Sequence, residues 1–182
     1  MGKKIFLMIV LFLFLNPFFV FGKEAGKSAK ITYNTILQEE PKTVFYQKAA
    51  IKNILEKYHS PLIGEVDTFI KVCYQYQLDC YLLPSIAGIE STFGQYLIPS
   101  SFNPFGWGGG KIFFKNFKEA IEKVASALKN NYLDRGLTTV ETIGKVYSEN
   151  PSWSQKVLFF INQFKKEEEN LRLYFEKNTV KL

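Results

Sequence analysis

The stretch that most limits what this chain can fold into is Leu82-Leu83-Pro84-Ser85-Ile86-Ala87-Gly88-Ile89-Glu90-Ser91-Thr92-Phe93-Gly94. Leu82, Leu83, Ile86, Ala87, Ile89 and Phe93 recur at helical spacing, which predicts a helix sunk in a core. Pro84 must then fall in the first turn, where a missing N–H costs little. Ser85, Ala87 and Gly88 are small enough to let another helix approach closely. A helix apolar on so many sides needs partners, and the rest of the chain supplies them.

The spacing predicts an amphipathic helix over 44–58, with Val44, Phe45, Ala49, Ile51, Ile54 and Leu55 apolar. His59-Ser60-Pro61 reads as a turn, and Pro61 opens a second helix carrying Leu62, Val66, Phe69, Ile70 and Cys73. Asp79 is placed to cap the central segment. Asn116 caps a helix to about Tyr132, and Thr139 caps one through Tyr147. Asn150-Pro151-Ser152-Trp153 opens the last, with Val157, Leu158, Ile161 and Phe164 inward and Lys165 to Glu169 as solvated surface. No stretch reads as a sheet. The expectation is an all-α single domain of about six or seven helices over residues 43–182, within the one-domain length prior.

Glu90 is the only charge in the central stretch and falls in its last turn, four residues before Gly94. Apolar neighbours and the negative end of the helix dipole both disfavour a carboxylate, so a neutral acid is expected there. A protonated carboxyl is what a glycosidase needs to donate to a leaving sugar oxygen. The plainer reading is a glutamate facing solvent beside a helix end, or paired with a lysine.

Residues Ile86 to Gly94 resemble the catalytic E-S-x-F/W helix end of lysozyme-like peptidoglycan hydrolases, a superfamily that includes soluble lytic transglycosylases and bacterial endo-β-N-acetylglucosaminidases. The resemblance continues through Asn103-Pro104-Phe105-Gly106-Trp107-Gly108, Phe117-Lys118-Glu119-Ala120-Ile121, Tyr132, Tyr147 and Trp153, spanning roughly Asp67 to Phe164. It implies a lysozyme-like fold and a catalytic role for Glu90 as acid and base. It also implies that Ser91 orients the substrate or the acid, and that Tyr147 sets a phenol over the reaction centre; Tyr147 as plain core is the other reading. The chain lacks the Gly-Leu-Met-Gln block that usually follows the transglycosylase glutamate. Its Asn103-Pro104-Phe105-Gly106-Trp107 segment is closer to the Asn-x-Phe-Gly of the glucosaminidases. The resemblance therefore points to the polymer better than to the bond.

Residues 95–110 combine Gly106, Gly108, Gly109 and Gly110 with Tyr96, Phe102, Phe105 and Trp107. Flexible backbone with flat apolar rings suits a sugar cleft, and together with the resemblance, which implies the roles of Ser91 and Asn103, this makes Ser91, Asn103, Phe105, Gly106 and Trp107 the expected substrate contacts. The alternative is that these rings plug the loop onto the core. Glycosidases ordinarily need two carboxylates. Between Glu90 and Lys118 there is no other Asp or Glu, and Glu119, Glu122, Asp134 and Glu141 read as surface. That scarcity suits a route in which one carboxyl makes both proton transfers and the substrate supplies the nucleophile.

Met1-Gly2-Lys3-Lys4 followed by apolar residues 5–21 reads as a secretory signal peptide over 1–22, the alternative being an uncleaved membrane anchor. Residues 23–42 read as a polar tether. The chain carries +6, or +4 without Lys3 and Lys4. This modest excess fits an anionic wall polymer and is too dispersed for nucleic acid. An exported chain permits a disulfide between Cys73 and Cys80, the other reading being two reduced thiols. With two cysteines and His59 alone, neither a zinc site nor a Ser-His-Asp apparatus is expected, and no cofactor. The functional expectation is an exported cell-wall glycosidase acting on the peptidoglycan glycan strand, secreted or held at the envelope. The alternatives are a lysozyme-like module of an envelope assembly that binds glycan without cutting it, and a membrane-bound scaffold, which leaves the aromatic loop unexplained.

Overall fold

The structure is a computed structural model that describes residues 41–179. The leader read over 1–22 and most of the tether lie outside them; Lys42, read as the end of that tether, already opens the first helix. Six α-helices follow in order: α1 Lys42–Lys57, α2 Val66–Tyr76, α3 Leu82–Ser91, α4 Phe117–Asn131, α5 Val140–Tyr147 and α6 Trp153–Thr179. Short 3-10 segments at Pro61–Glu65 and Leu133–Arg135 complete the secondary structure, with no strand among the described residues. The all-α expectation is met. None of the described helices is long and apolar enough to cross a membrane.

The central helix lies where its composition demands. Leu82, Leu83, Ile86 and Ala87 are buried together with Phe69, Val72, Ile121, Val124, Val157 and Phe164 from three neighbouring helices. Burial of each such side chain stabilises by about 1.5–3 kcal/mol. Local capping behaves as read: Asn116 Oδ1 accepts from Glu119 N at 2.8 Å, and Thr139 forms a reciprocal capping box with Thr142. Asp79 differs from its reading as a cap: its Oδ1 accepts from Tyr81 N at 2.9 Å in the preceding turn, while Tyr81 is the N-cap of α3 and no side chain caps that helix. The segment after Pro61 differs from the single helix expected. It opens as a 3-10 turn fixed by Ser60, whose hydroxyl oxygen accepts from Leu62 N, and becomes α-helical only at Val66.

Two links draw the ends of this arrangement together. Cys73 and Cys80 are joined by a disulfide with a Cα–Cα distance of 4.9 Å, which ties the last turn of α2 to the approach of α3. The charged run of α6 is more than solvated surface. Glu168 accepts from the Tyr81 hydroxyl at 2.6 Å, Glu167 accepts from Asn53 at 2.7 Å, and Lys165 pairs with Asp79 at 3.2 Å. Burial, and then the hydrogen bond to Glu168 and its charge, push the Tyr81 phenol well above its ordinary range, so it stays a hydrogen-bond donor.

The exit from α3 follows directly on Glu90 and Ser91. The helix stops at Ser91, earlier than a run to Gly94 would suggest. Thr92, Phe93 and Gly94 then take positive φ values of 51°, 56° and 85°. For the two non-glycine residues this left-handed backbone costs roughly 1–2 kcal/mol each. Phe93 offsets it, its ring fully buried against Tyr58, Phe160 and Phe164. Phe93 N also donates to Ala87 O at 2.9 Å, and the Ser60 hydroxyl donates to Phe93 O at 2.6 Å. The sharp reversal is therefore held from inside the core.

Candidate active site

Glu90 emerges at that reversal. Its Oε1 accepts a 2.7 Å hydrogen bond from Trp153 Nε1, the first residue of α6, and its Oε2 lies against the backbone of Gly106. Trp153 is buried and stacks on Tyr147 with ring centroids 4.7 Å apart and planes 25° apart. This stack needs α5 and α6 in close contact, and Gly144 permits it: a Cβ there would overlap Ser154 Oγ and come within 3.0 Å of the Trp153 ring.

The expectation that apolar neighbours enclose Glu90 is not met. Its side chain is solvent-exposed in the last turn of α3, while Ile86 and Ala87 remain inside. The glutamate is nonetheless neither adrift nor paired with a lysine: the indole N–H holds it beside Gly106 at the mouth of the glycine-aromatic loop.

Beside it opens a cavity of about 280 Å³ lined by Gly106, Trp107, Gly108, Gly109, Tyr132 and Tyr147. Trp107 lies 5.6 Å from Tyr147 and 6.5 Å from Tyr132 by ring centroids, so three rings form its wall. Tyr147 is half-buried, and its hydroxyl donates to Phe105 O at 2.8 Å, bracing the loop. Burial first, and then Glu90 and Tyr132, hold that phenol well above its ordinary range. It therefore stays neutral and serves as a donor. The Tyr132 phenol is also raised, by burial.

The residues expected to touch substrate divide into two groups. Gly106 and Trp107 line the cavity. Ser91, Asn103 and Phe105 are enclosed, at 3%, 5% and 0% exposure, and do not. Ser91 Oγ lies 3.0 Å from Ala87 O and 2.8 Å from Pro104 O, its hydrogen-bond acceptors, while accepting from Gly94 N at 2.8 Å. Asn103 donates to Trp107 O and Ile112 O and accepts from Trp107 N. A loop without a regular ladder must satisfy its backbone groups somehow, and these two side chains do it. Phe105 is core. All three shape the site from behind.

Two roles go beyond the sequence reading. Trp153, a helix opener and part of the resemblance, is also the donor to Glu90, and an indole at the first helical position signals a donor that needs a partner. Tyr132, a helix end and part of the resemblance, is also a cavity wall. No second carboxylate stands among the cavity-lining residues: Glu122 pairs with Lys71, Asp134 with Lys129, and Glu119 caps Lys115 N. No cluster of His, Cys, Asp and Glu among the described residues could hold a metal ion. Set against protein-family models and curated sequences, the chain matches none.

Gly106 is the most exacting position here. Its φ is +61°, and an added Cβ would stand 2.9 Å from Glu90 Oε2. Gly106→Ala should lower melting temperature only slightly, since a left-handed alanine costs about 1–2 kcal/mol. It should also push the Glu90 carboxyl away from the Trp153 indole that holds it. Thermal melts and tryptophan fluorescence on one preparation check both effects.

Proposed function

We propose that this domain is a lysozyme-like cell-wall glycosidase that cuts the β-1,4 glycan strand of peptidoglycan, exported by its N-terminal segment, with Glu90 as general acid and base. The observation that carries this reading is Glu90 itself, tethered by the Trp153 indole at the edge of a cavity walled by Trp107, Tyr132 and Tyr147. Aromatic faces accept the C–H faces of pyranose rings, and a carboxyl at their border can reach a glycosidic oxygen.

In the route that needs one carboxyl, Glu90 donates its proton to the bridging oxygen as the C1–O bond breaks. The resulting carboxylate then takes the proton of the muramyl C6 hydroxyl as that oxygen bonds to C1, closing an anhydro ring. In the hydrolytic route water takes the place of the C6 hydroxyl, and the cut falls at N-acetylglucosamine. The absence of a second carboxylate from the cavity lining favours the first; the Asn103-Pro104-Phe105-Gly106 segment favours the second.

Mass spectrometry of muropeptides released from purified peptidoglycan separates them. Anhydro-muramyl ends identify the transglycosylase route, and reducing N-acetylglucosamine ends the hydrolytic one. Release of no fragment at all would remove the enzyme and leave a glycan-binding module.

A further inference from the structure

The loop between α3 and α4 presents apolar side chains to solvent as well as to the core. Ile98, Phe102, Ile112 and Phe113 are all exposed, Phe113 with 60% of its surface open. Hydrogen bonds across the loop bring the two halves of this set together. Phe114 N donates to Ser101 O at 2.8 Å, and Asn103 Nδ2 donates to Ile112 O at 3.0 Å. Ile98 lies against Gly110, where a Cβ would stand 3.7 Å from its Cδ1. None of the four lines the aromatic cavity. The network that encloses Ser101, Asn103 and Phe105 thus leaves two isoleucines and two rings outside it, on one closely knit loop.

The charge around this patch has one sign. No Asp or Glu occurs between Glu90 and Glu119, whereas Lys111, Lys115 and Lys118 do, and all three are exposed. The two flanking acids are engaged, Glu90 by the Trp153 indole and Glu119 by the Lys115 backbone N–H. Among the described residues none of the three lysines enters an ion pair. Exposed apolar patches mark contacts with proteins or with membranes. Lysine decides between them. Protein interfaces are depleted in it, whereas lysines flanking apolar side chains are what an anionic headgroup layer attracts. Ile98 and Ile112, being aliphatic, offer no flat face to a sugar.

We infer that this loop is a membrane-contact surface. Ile98, Phe102, Ile112 and Phe113 enter the headgroup boundary of an anionic bilayer, while Lys111, Lys115 and Lys118 meet its lipid phosphates. A lysine stem lies along apolar surface and keeps its ammonium at the polar layer, so both sets of side chains are served at one depth. The contact also orients the domain. Ile112 packs on Gly108, a wall of the aromatic cavity, so that cavity opens beside the lipid surface. The assignment holds whether or not Glu90 cuts a glycan.

Because the apolar residues 5–21 are expected to bind lipid by themselves, the readout is local to the loop. Phe113→Cys gives the full-length chain one free thiol, since Cys73 and Cys80 are bonded to each other. The environment-sensitive fluorophore NBD attached there should shift to the blue with vesicles of equimolar phosphatidylcholine and phosphatidylglycerol, and not with phosphatidylcholine alone. The same label on Tyr174→Cys, near the other end of α6, should respond alike to the two. Lys111→Gln combined with Lys118→Gln should lower the docked-to-undocked ratio that the loop label reports by about 25-fold, as two lysines near such a surface imply. Ile98→Ser should lower it too, with the melting temperature unchanged. A loop label that responds alike to both lipids, or a ratio untouched by these variants, overturns the contact. A loop label silent toward both vesicles overturns it as well, and leaves the patch to a protein partner.

Discussion

Glu90→Gln should cut the release of soluble fragments from purified peptidoglycan by about 10²–10⁴-fold, the usual contribution of a positioned general acid. The amide keeps an oxygen that can accept from Trp153 Nε1, so the 2.7 Å tether survives and only the transferable proton is lost. Because Glu90 is exposed, thermal unfolding should be unchanged, and a loss of activity could not be blamed on misfolding. Co-sedimentation with insoluble peptidoglycan should also be retained. Equal activity in wild type and variant would end the catalytic assignment. Equal inactivity with intact binding would favour the non-cutting module.

The second large effect concerns stability. Phe93→Ala should destabilise the domain by about 3–5 kcal/mol, the range for emptying a buried aromatic site. The expected loss sits at the upper end for a local reason. Phe93 occupies a left-handed backbone position at φ +56°, and its ring, packed on Tyr58, Phe160 and Phe164, is what stabilises that conformation. Gly88 reports on the same contact, since a Cβ at that position would stand 2.7 Å from the Phe93 ring. Urea denaturation followed by far-ultraviolet circular dichroism measures the effect. A shift under 1 kcal/mol would show that the α3 exit holds itself.

What the sequence disclosed follows from the range of the forces involved. Apolar spacing and caps act within one or two turns, so α4 behind Asn116 and α5 behind Thr139 were legible residue by residue. The core face of α3 was equally plain. The exposure of Glu90 was not, because four residues after the fully buried Ile86 it shares that residue's helix face, and spacing alone puts it inside. Ser91 and Asn103 misled for a related reason. Polar side chains beside a loop look like ligand contacts until the carbonyls and N–H groups of Pro104, Trp107 and Ile112 are seen to need them. The charged run from Lys165 was read as bare surface because its partners, Asn53, Asp79 and Tyr81, are remote in sequence.

The antiparallel course of α1 and α6 has one more consequence. Phe45, near the start of α1, meets Phe175 with ring centroids 5.6 Å apart, whereas Trp153 stands at the opposite end of the same helix. At 1.5 Å per residue, those two points on α6 are separated by about 33 Å. The entry to α1 thus stands at the far end of α6 from Trp153 and Glu90. A fusion partner added ahead of α1 should for the same reason leave the aromatic cavity unobstructed.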